Sequence, residues 1–363
     1  MMLNRKLQAA LITTDQNVYY LSGFTGTDSA LLITAHHKIL LTDFRFIEEA
    51  KHSAVGWRVV HEKSRARPGG KIEMVIPHGL MEKAGLIARK LGLRKVAIEP
   101  GNIRVIELAQ LRHSARTVKF KPEEGMVAEL RLCKSMWEIC QIEQALRIQE
   151  SAFNELFGTM AEGASEREAA ARLRYLMVLR GAEDHAFNCM FQIGSNASLP
   201  HGRPTDRALS GNELILLDWG ARYAGYHSDL TRTFFTGTIP TNLRKIHNVV
   251  MEAQQAAIAA ISPGVALAEV DNVARTVIDK SGYGKAFGHS TGHGLGLEIH
   301  EAPALSARSR GKLFSGMVVT VEPGVYLPGI GGVRIEDDVL VTSTGHRVLS
   351  RLKTGLRWNG END

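Results

Sequence analysis

The sequence predicts two domains: an α/β domain at the N-terminus, then an α+β domain in which helices flank a curved antiparallel sheet. Three observations lead there. At 363 residues the chain exceeds the length that one hydrophobic core serves efficiently, so two cores of unequal size are expected. The first third mixes short apolar runs with helical periodicity, as a mixed sheet covered by helices requires. The last third is rich in β-branched residues punctuated by glycine, which is the pattern of antiparallel strands and tight turns.

In chain order, the runs LITT, ALLIT and KILLTD read as strands, broken by Gly23, Gly26 and His36-His37. Helical periodicity follows at 80–91 and 106–111, with KVAIEP as a strand between them. The polar stretch KFKPEEG, with Pro122 and Gly125, reads as a connector. It divides the chain into a leading domain, 1–125, and a second domain, 126–363. The segment 134–159 places Ile139, Ile142, Ala145, Leu146 and Ile148 on one helical face. Ser165 with Glu168 forms a capping-box pattern that opens a second helix running to 180. ELILLDWGARYAGYHSDLTRTF reads as two strands joined by a turn at Ala224-Gly225, the first almost wholly apolar and therefore buried. Helices are expected at 243–261 and 267–281, separated by Pro263 and Gly264. MVVTVEPGVYLPGIGGVRIEDDVLVT supplies further strands, and WNGEND reads as a frayed tail.

Composition narrows the function. A hydrophobic fraction of 44% and a charged fraction of 23% are those of an ordinary globular protein rather than a disordered one. The three cysteines, Cys133, Cys140 and Cys189, lack CxxC spacing, which excludes a thiolate zinc site and a disulfide framework. They read as free, mostly packed thiols. The net charge of +6 is dispersed, and its one local cluster, Lys63, Arg65 and Arg67, reads as a solvated loop. No nucleic-acid partner is expected. No run approaches the roughly 20 apolar residues that span a bilayer, and the N-terminus lacks a signal-peptide core, so a cytoplasmic protein without membrane contact is expected.

The chemistry lies in acids that close strands. Asp218 ends the apolar run LILL, where a carboxylate costs free energy unless something pairs with it. Asp229 lies across the predicted turn, so a hairpin brings the two together. Glu322 ends VVTV and Glu336 ends VRI, repeating the arrangement. Four converging acids repel one another unless cations are present. With His293 they make an oxygen-rich set carrying one imidazole, suited to divalent ions such as Mn, Co, Fe or Zn. Five ligands, four able to bridge, suggest two ions about 3.5 to 4 Å apart.

Around them stand His289 and His300, flanking His293 in HSTGHGLGLEIHE, and His201 in LPHGRP. The glycines there permit close backbone approach to a ligand. Arg334 shares a strand face with Glu336. His36, His37, His52, His61, His78 and His113 read as surface residues.

Taken together, LLDWGARYAGYHSDLTRT, GHGLGLEIHE, VTVEPGVY and GGVRIEDDVLVT, with PHGRP upstream, resemble the pita-bread-fold metallopeptidases, in the Xaa-Pro dipeptidase (prolidase) and aminopeptidase P branch. NVYYLSGFTGTDSALLIT resembles the start of the creatinase-like (RNase H-like) N-terminal domain of that family, and LRLCKSMWEICQIEQALRI its first catalytic helix. The resemblance implies two divalent ions, manganese first, with cobalt, zinc or iron as alternatives. It implies that Asp218, Asp229, His293, Glu322 and Glu336 hold them, with Asp229 and Glu336 bridging. His201, His289, His300 and Arg334 would line the substrate pocket. Glu322 would move the proton of the attacking water, and His201 or His300 would steady the oxyanion or protonate the leaving nitrogen.

The implied substrate is a peptide with proline second, and the implied assembly a homodimer. The compact leading domain favours a dipeptidase, with an Xaa-Pro aminopeptidase acting on longer peptides as the alternative. A non-catalytic binding member of the fold would lose ligands. Two departures stand out: His227, where a small residue is expected, and the bulky stretch FNCMFQIGS, which bears on substrate fit.

Overall fold

A computed structural model describes residues 7–61 and 79–354 of the chain. The cluster Lys63, Arg65 and Arg67, His78 and the WNGEND tail lie outside the described residues. The chain divides into two compact units, Met1–Leu130 and Arg131–Asp363.

In the first unit a six-stranded mixed sheet forms in the order Arg58–His61, Lys38–Thr42, Ser29–Thr34, Ala9–Ile12, Lys95–Ile98 and Lys119–Pro122. Ala9–Ile12 is central, antiparallel to Ser29–Thr34 and parallel to Lys95–Ile98. Its alternate residues go to opposite faces. Ala9 and Leu11 join the helices Leu80–Lys90 and Val105–Ser114 through Met81, Ala84 and Leu111. Ala10 and Ile12 pack with Val18, Leu31 and Leu40. Lys119–Pro122, expected to be connector, is instead the edge strand, because Phe120 is buried and anchors the polar run beside Lys95–Ile98.

The second unit opens with the helix Met136–Thr159, whose Ser135 and Glu138 cap its start reciprocally, as Ser165 and Glu168 do for Glu166–Leu179. Thr241–Ala259 and Leu267–Lys280 follow. Every strand pairing among the described residues of this unit is antiparallel. The expected two-stranded hairpin is divided. Leu214–Trp219 pairs with Leu230–Phe235, while Ala221–Tyr223 pairs with Tyr226–His227 in a separate sheet. The break falls at Gly220, where a Cβ would sit 2.1 Å from the Ser228 carbonyl oxygen. The turn itself is as expected, with Ala224 and Gly225 both left-handed at φ 47° and 75°. Trp219, fully buried, stacks on Phe153 at 5.1 Å between centroids and backs the hairpin.

The cysteines differ from expectation: all three are free and Cys189 is buried, but Cys133 and Cys140 are exposed. Both lie near the start of an amphipathic helix, on or beside its polar side. His36, His37, His52 and His113 are exposed, as expected of surface residues. Among the described residues no helix is long and apolar enough to cross a membrane.

His247, on Thr241–Ala259, is 1% exposed beside Phe235, its Nδ1 has no hydrogen-bond partner, and burial lowers its imidazole from 6.5 to about 4. A depressed histidine favours the neutral form in the folded state. Its contribution is therefore intact above 6.5 and is lost as pH falls toward 4. His247→Leu is expected to flatten the fall in stability across that window by up to about 3 kcal/mol. Denaturant midpoints of the two proteins at either end of the window check this.

Candidate metal centre

Leu214–Trp219 is buried along its whole length, and its fifth residue is Asp218. Register sets Asp218 opposite Thr231, so Asp229 enters just before the partner strand begins. Thr231 is the joint between this hairpin and the next. Its carbonyl accepts the Glu336 N–H at 3.1 Å, and its hydroxyl donates to Glu336 Oε2 at 2.7 Å. Glu336 sits between the strands Gly331–Arg334 and Asp337–Val341.

On another sheet, Val318–Val321 pairs with Gly292–Gly294, which carries His293. The approach is close: a Cβ on Gly292 would lie 1.9 Å from the Thr320 carbonyl oxygen. Thr320 Oγ1 accepts the His293 N–H at 3.0 Å and donates to Glu322 Oε1 at 3.3 Å. All five expected ligands thus converge from three antiparallel strand pairs. Asp229, His293 and Glu336 offer donor atoms within 4.8 Å of one another. His293 Nε2 lies 3.7 Å from Asp229 Oδ2 and 3.3 Å from Glu322 Oε1.

This arrangement is electrostatically incomplete as protein alone. Burial, then the neighbouring acids, push the Asp229 and Glu336 carboxyls far above their usual range. Burial lifts Glu322 to about 8, and raises Asp218 despite Arg334. Asp218 Oδ1, Asp229 Oδ1 and Glu336 Oε1 are buried without a hydrogen-bond partner. His293 Nδ1 lies 3.1 Å from the Gly294 carbonyl, which requires its proton there and leaves the Nε2 lone pair toward the carboxylates. Burial lowers that imidazole to about 4, so it stays neutral. Acceptors aimed at acceptors need cations between them, and a set of four carboxylates and one neutral imidazole suits divalent metal.

Tyr326 and Asp271, which sequence reasoning missed, hold this set in place together with Arg334, which it had assigned to the substrate pocket. Tyr326, nearly fully buried, accepts from Arg334 Nη1 at 2.7 Å and donates to His289 Nε2 at 3.0 Å. Arg334 is turned inward: Nη2 pairs with Asp218 Oδ2, Nε with Thr231 Oγ1 at 3.0 Å, and Nη1 also reaches the Pro200 carbonyl at 3.4 Å. Asp271 on Leu267–Lys280 receives Thr291 N–H at 3.1 Å and its hydroxyl at 2.9 Å, while Arg275 pairs with Asp271 and donates to the His289 carbonyl at 2.9 Å. Thr291 in turn accepts the Glu322 N–H at 2.7 Å. One helix thereby fixes both His289 and Glu322. The signal in the sequence was a buried-face acid, Asp271, with a basic residue one turn on.

His201 and His300 are exposed, and the His300 ring meets His293 edge-on at 4.3 Å. His227 faces neither the acids nor Trp219 through a hydrogen bond. Its amide and Nδ1 both reach the Gly296 carbonyl, at 2.8 and 3.0 Å. In the bulky stretch, Met190–Ile193 pairs with Leu214–Trp219, placing Met190 opposite Asp218.

Comparison with known proteins identifies the family. Residues 140–343 match the model of metallopeptidase family M24, and residues 1–133 that of the creatinase/prolidase N-terminal domain. The chain belongs to family M24. It is 35% identical over 358 residues to an Xaa-Pro dipeptidase of Pyrococcus horikoshii, covering 96% of this chain and 94% of that one. Among solved structures, an Xaa-Pro dipeptidase from Bacillus anthracis superposes with TM-score 0.91 at 35% identity, covering 98% of this chain and 96% of that one. An X-Pro aminopeptidase from Thermotoga maritima gives 0.86 at 34%, covering 96% and 97%. The second unit is therefore the pita-bread catalytic domain of an M24 metallopeptidase, and the first its creatinase-like companion. Membership implies divalent metal, and the buried acidic and imidazole group fits it.

Carboxyls raised by burial favour the metal-free fold at low pH and weaken it as pH rises toward the folded-state value, about 8 for Glu322. Metal replaces those protons. The rise in melting temperature on adding divalent metal to chelator-stripped protein is therefore expected to be larger at pH 8 than at pH 5.5. Paired thermal scans check this; equal shifts would show that the acids do not exchange protons for metal.

Proposed function

We propose that the protein is an Xaa-Pro dipeptidase that hydrolyses the bond before proline, using two divalent ions, manganese first among the candidates. The observation that carries this reading is the trio of buried, unsatisfied oxygens on Asp218, Asp229 and Glu336 beside the His293 lone pair. Asp218 and Asp229 would hold one ion, His293 and Glu322 the other, with Asp229 and Glu336 shared. When bound, such a pair supplies Lewis-acid polarisation of the scissile carbonyl and a water of lowered pKa.

The remaining work falls to the chain. Glu322, steadied by Thr320 and the Thr291 carbonyl, takes the proton of the attacking water. Proline's tertiary nitrogen leaves only when protonated, and the exposed imidazoles of His201 and His300 are the donors available for that step and for the developing oxyanion. Arg334, occupied by Asp218, Tyr326, Thr231 and Pro200, fixes Asp218 and, through the Tyr326 hydroxyl, His289. Its contribution to substrate is thereby made through these neighbours. The His289 ring, held neutral by burial at about 4 and with both nitrogens engaged by the Ser290 carbonyl and the Tyr326 hydroxyl, acts as a neutral wall rather than a charge.

A second reading, an aminopeptidase acting on longer peptides, is favoured by the similarity to the Thermotoga maritima enzyme. Matched Xaa-Pro and Xaa-Pro-Yaa substrates, assayed with Mn, Co and Zn against chelator controls, separate the two. Hydrolysis of the dipeptide alone is expected, and comparable cleavage of both would favour the aminopeptidase. Asp229→Ala and Glu336→Ala are each expected to abolish turnover and to lower bound metal measured by elemental analysis. Near-normal turnover in either variant would sink the assignment.

A further inference from the structure

A second set of buried charges lies outside the carboxylate and imidazole group. In LRLCKS, ahead of the helix Met136–Thr159, the side chains of Arg131 and Lys134 are only 4% and 1% exposed. Two cations are buried at such cost only against anions. Lys134 Nζ lies 2.8 Å from Glu301 Oε1 and 3.3 Å from the Leu132 carbonyl. Arg131 Nη2 pairs with Glu301 Oε2 and, at 2.7 Å, with Glu298 Oε2. Glu301 therefore carries a cation on each oxygen, and the two acids balance the two bases.

Glu301 directly follows His300 and begins the strand Glu301–Leu305, where it stands opposite Gly294, the neighbour of His293. A Cβ on Gly296 would lie 2.7 Å from Glu301 Oε1, so the glycine of GHGLG leaves room for this carboxylate. The other end of the same segment is held by His227, whose amide and Nδ1 both reach the Gly296 carbonyl. The His300 ring itself is exposed, and among the described residues no hydrogen bond holds it, only the edge contact with His293. Its placement is thus decided by its backbone.

We infer that Glu301 is a positioning residue whose clamp by Arg131 and Lys134 sets the His300 imidazole in the catalytic site, an inference that rests on the reading of His300 as substrate-facing. Loss of one clamp contact frees the backbone at 300–301 and lets the ring depart from its place against His293. A misplacement of about 1 Å lowers turnover while leaving most substrate contacts intact.

The test uses the full-length, zinc-loaded protein labelled with 15N-histidine, with His300→Ala identifying the His300 ring signals. In Glu301→Gln and in Lys134→Met those signals are expected to move, while the His289 signals stay. The kcat is expected to fall about 10- to 100-fold with KM little changed, and Glu301→Gln is expected to cause no further loss in the His300→Ala background. An unmoved His300 signal overturns the proposal. So does an equal loss of kcat from Glu301→Gln with and without His300, which marks the cluster as a support for the fold alone. If Glu301→Gln does not fold, Lys134→Met keeps the Arg131 contact and carries both measurements. If His300→Ala turns over like wild type, the substrate role of His300 fails, and the ring signals decide the clamp separately.

Discussion

Mutual repulsion among buried carboxylates is the constraint on which the second unit depends. Asp218, Asp229, Glu322 and Glu336 are brought within reach by three antiparallel strand pairs whose registers are set by apolar packing, not by the acids themselves. The packing forces the charges together, and low local dielectric makes their repulsion large. Arg334 relieves only part of it, since burial still raises Asp218 above its ordinary value. Fold and cation binding are therefore one equilibrium: what the core gains by closing the hairpins is offset at the acids until metal or protons neutralise them.

The imidazoles show the same economy of means. His289 and His293 each direct Nδ1 to a neighbouring backbone carbonyl, that of Ser290 at 2.8 Å and of Gly294 at 3.1 Å. A carbonyl fixes the tautomer without adding charge, so Nε2 is the free lone pair in both rings. In His293 that lone pair joins the acids; in His289 it receives the Tyr326 hydroxyl. Burial lowers both rings to about 4, so neither supplies the positive charge that the acids lack.

Much of this was legible in the sequence because it is local. An acid ending an apolar run, as Asp218 ends LILL, is a pattern within a single strand, and the turn at Ala224-Gly225 announces its partner. The capping boxes at Ser135 and Ser165 are equally local, each a serine followed three residues later by a glutamate. What escaped depends on partners far along the chain. Arg334 meets Asp218 across 116 residues, Lys134 meets Glu301 across 167, and no periodicity connects them. Tyr326 reads as an ordinary strand residue until the strand Gly331–Arg334 folds back beside it. The division of the hairpin at Gly220 also needs tertiary knowledge, since the collision there is with the Ser228 carbonyl of the opposing chain.

The arrangement of charge explains why metal would choose this place and no other among the described residues of the unit. Elsewhere each buried acid is satisfied by the protein. Glu301 is met by Arg131 and Lys134, Asp271 by Arg275, and Asp337 by Arg232, Gln254 and Ser350. Glu166 accepts the amides of Ile193 and Thr205, and Glu150 those of Arg351 and Leu352. Asp338, which accepts the Asp229 amide, is the exception: its second oxygen lacks a partner, and burial pushes its carboxyl well up, so a proton satisfies it. Asp229 and Glu336 differ because several buried acids crowd one another there, so they cannot all ionise together without cations. A cation shared between carboxylates satisfies them together, and the centre still calls for one because Arg334 pairs there with Asp218 alone, while most other buried acids have protein partners of their own.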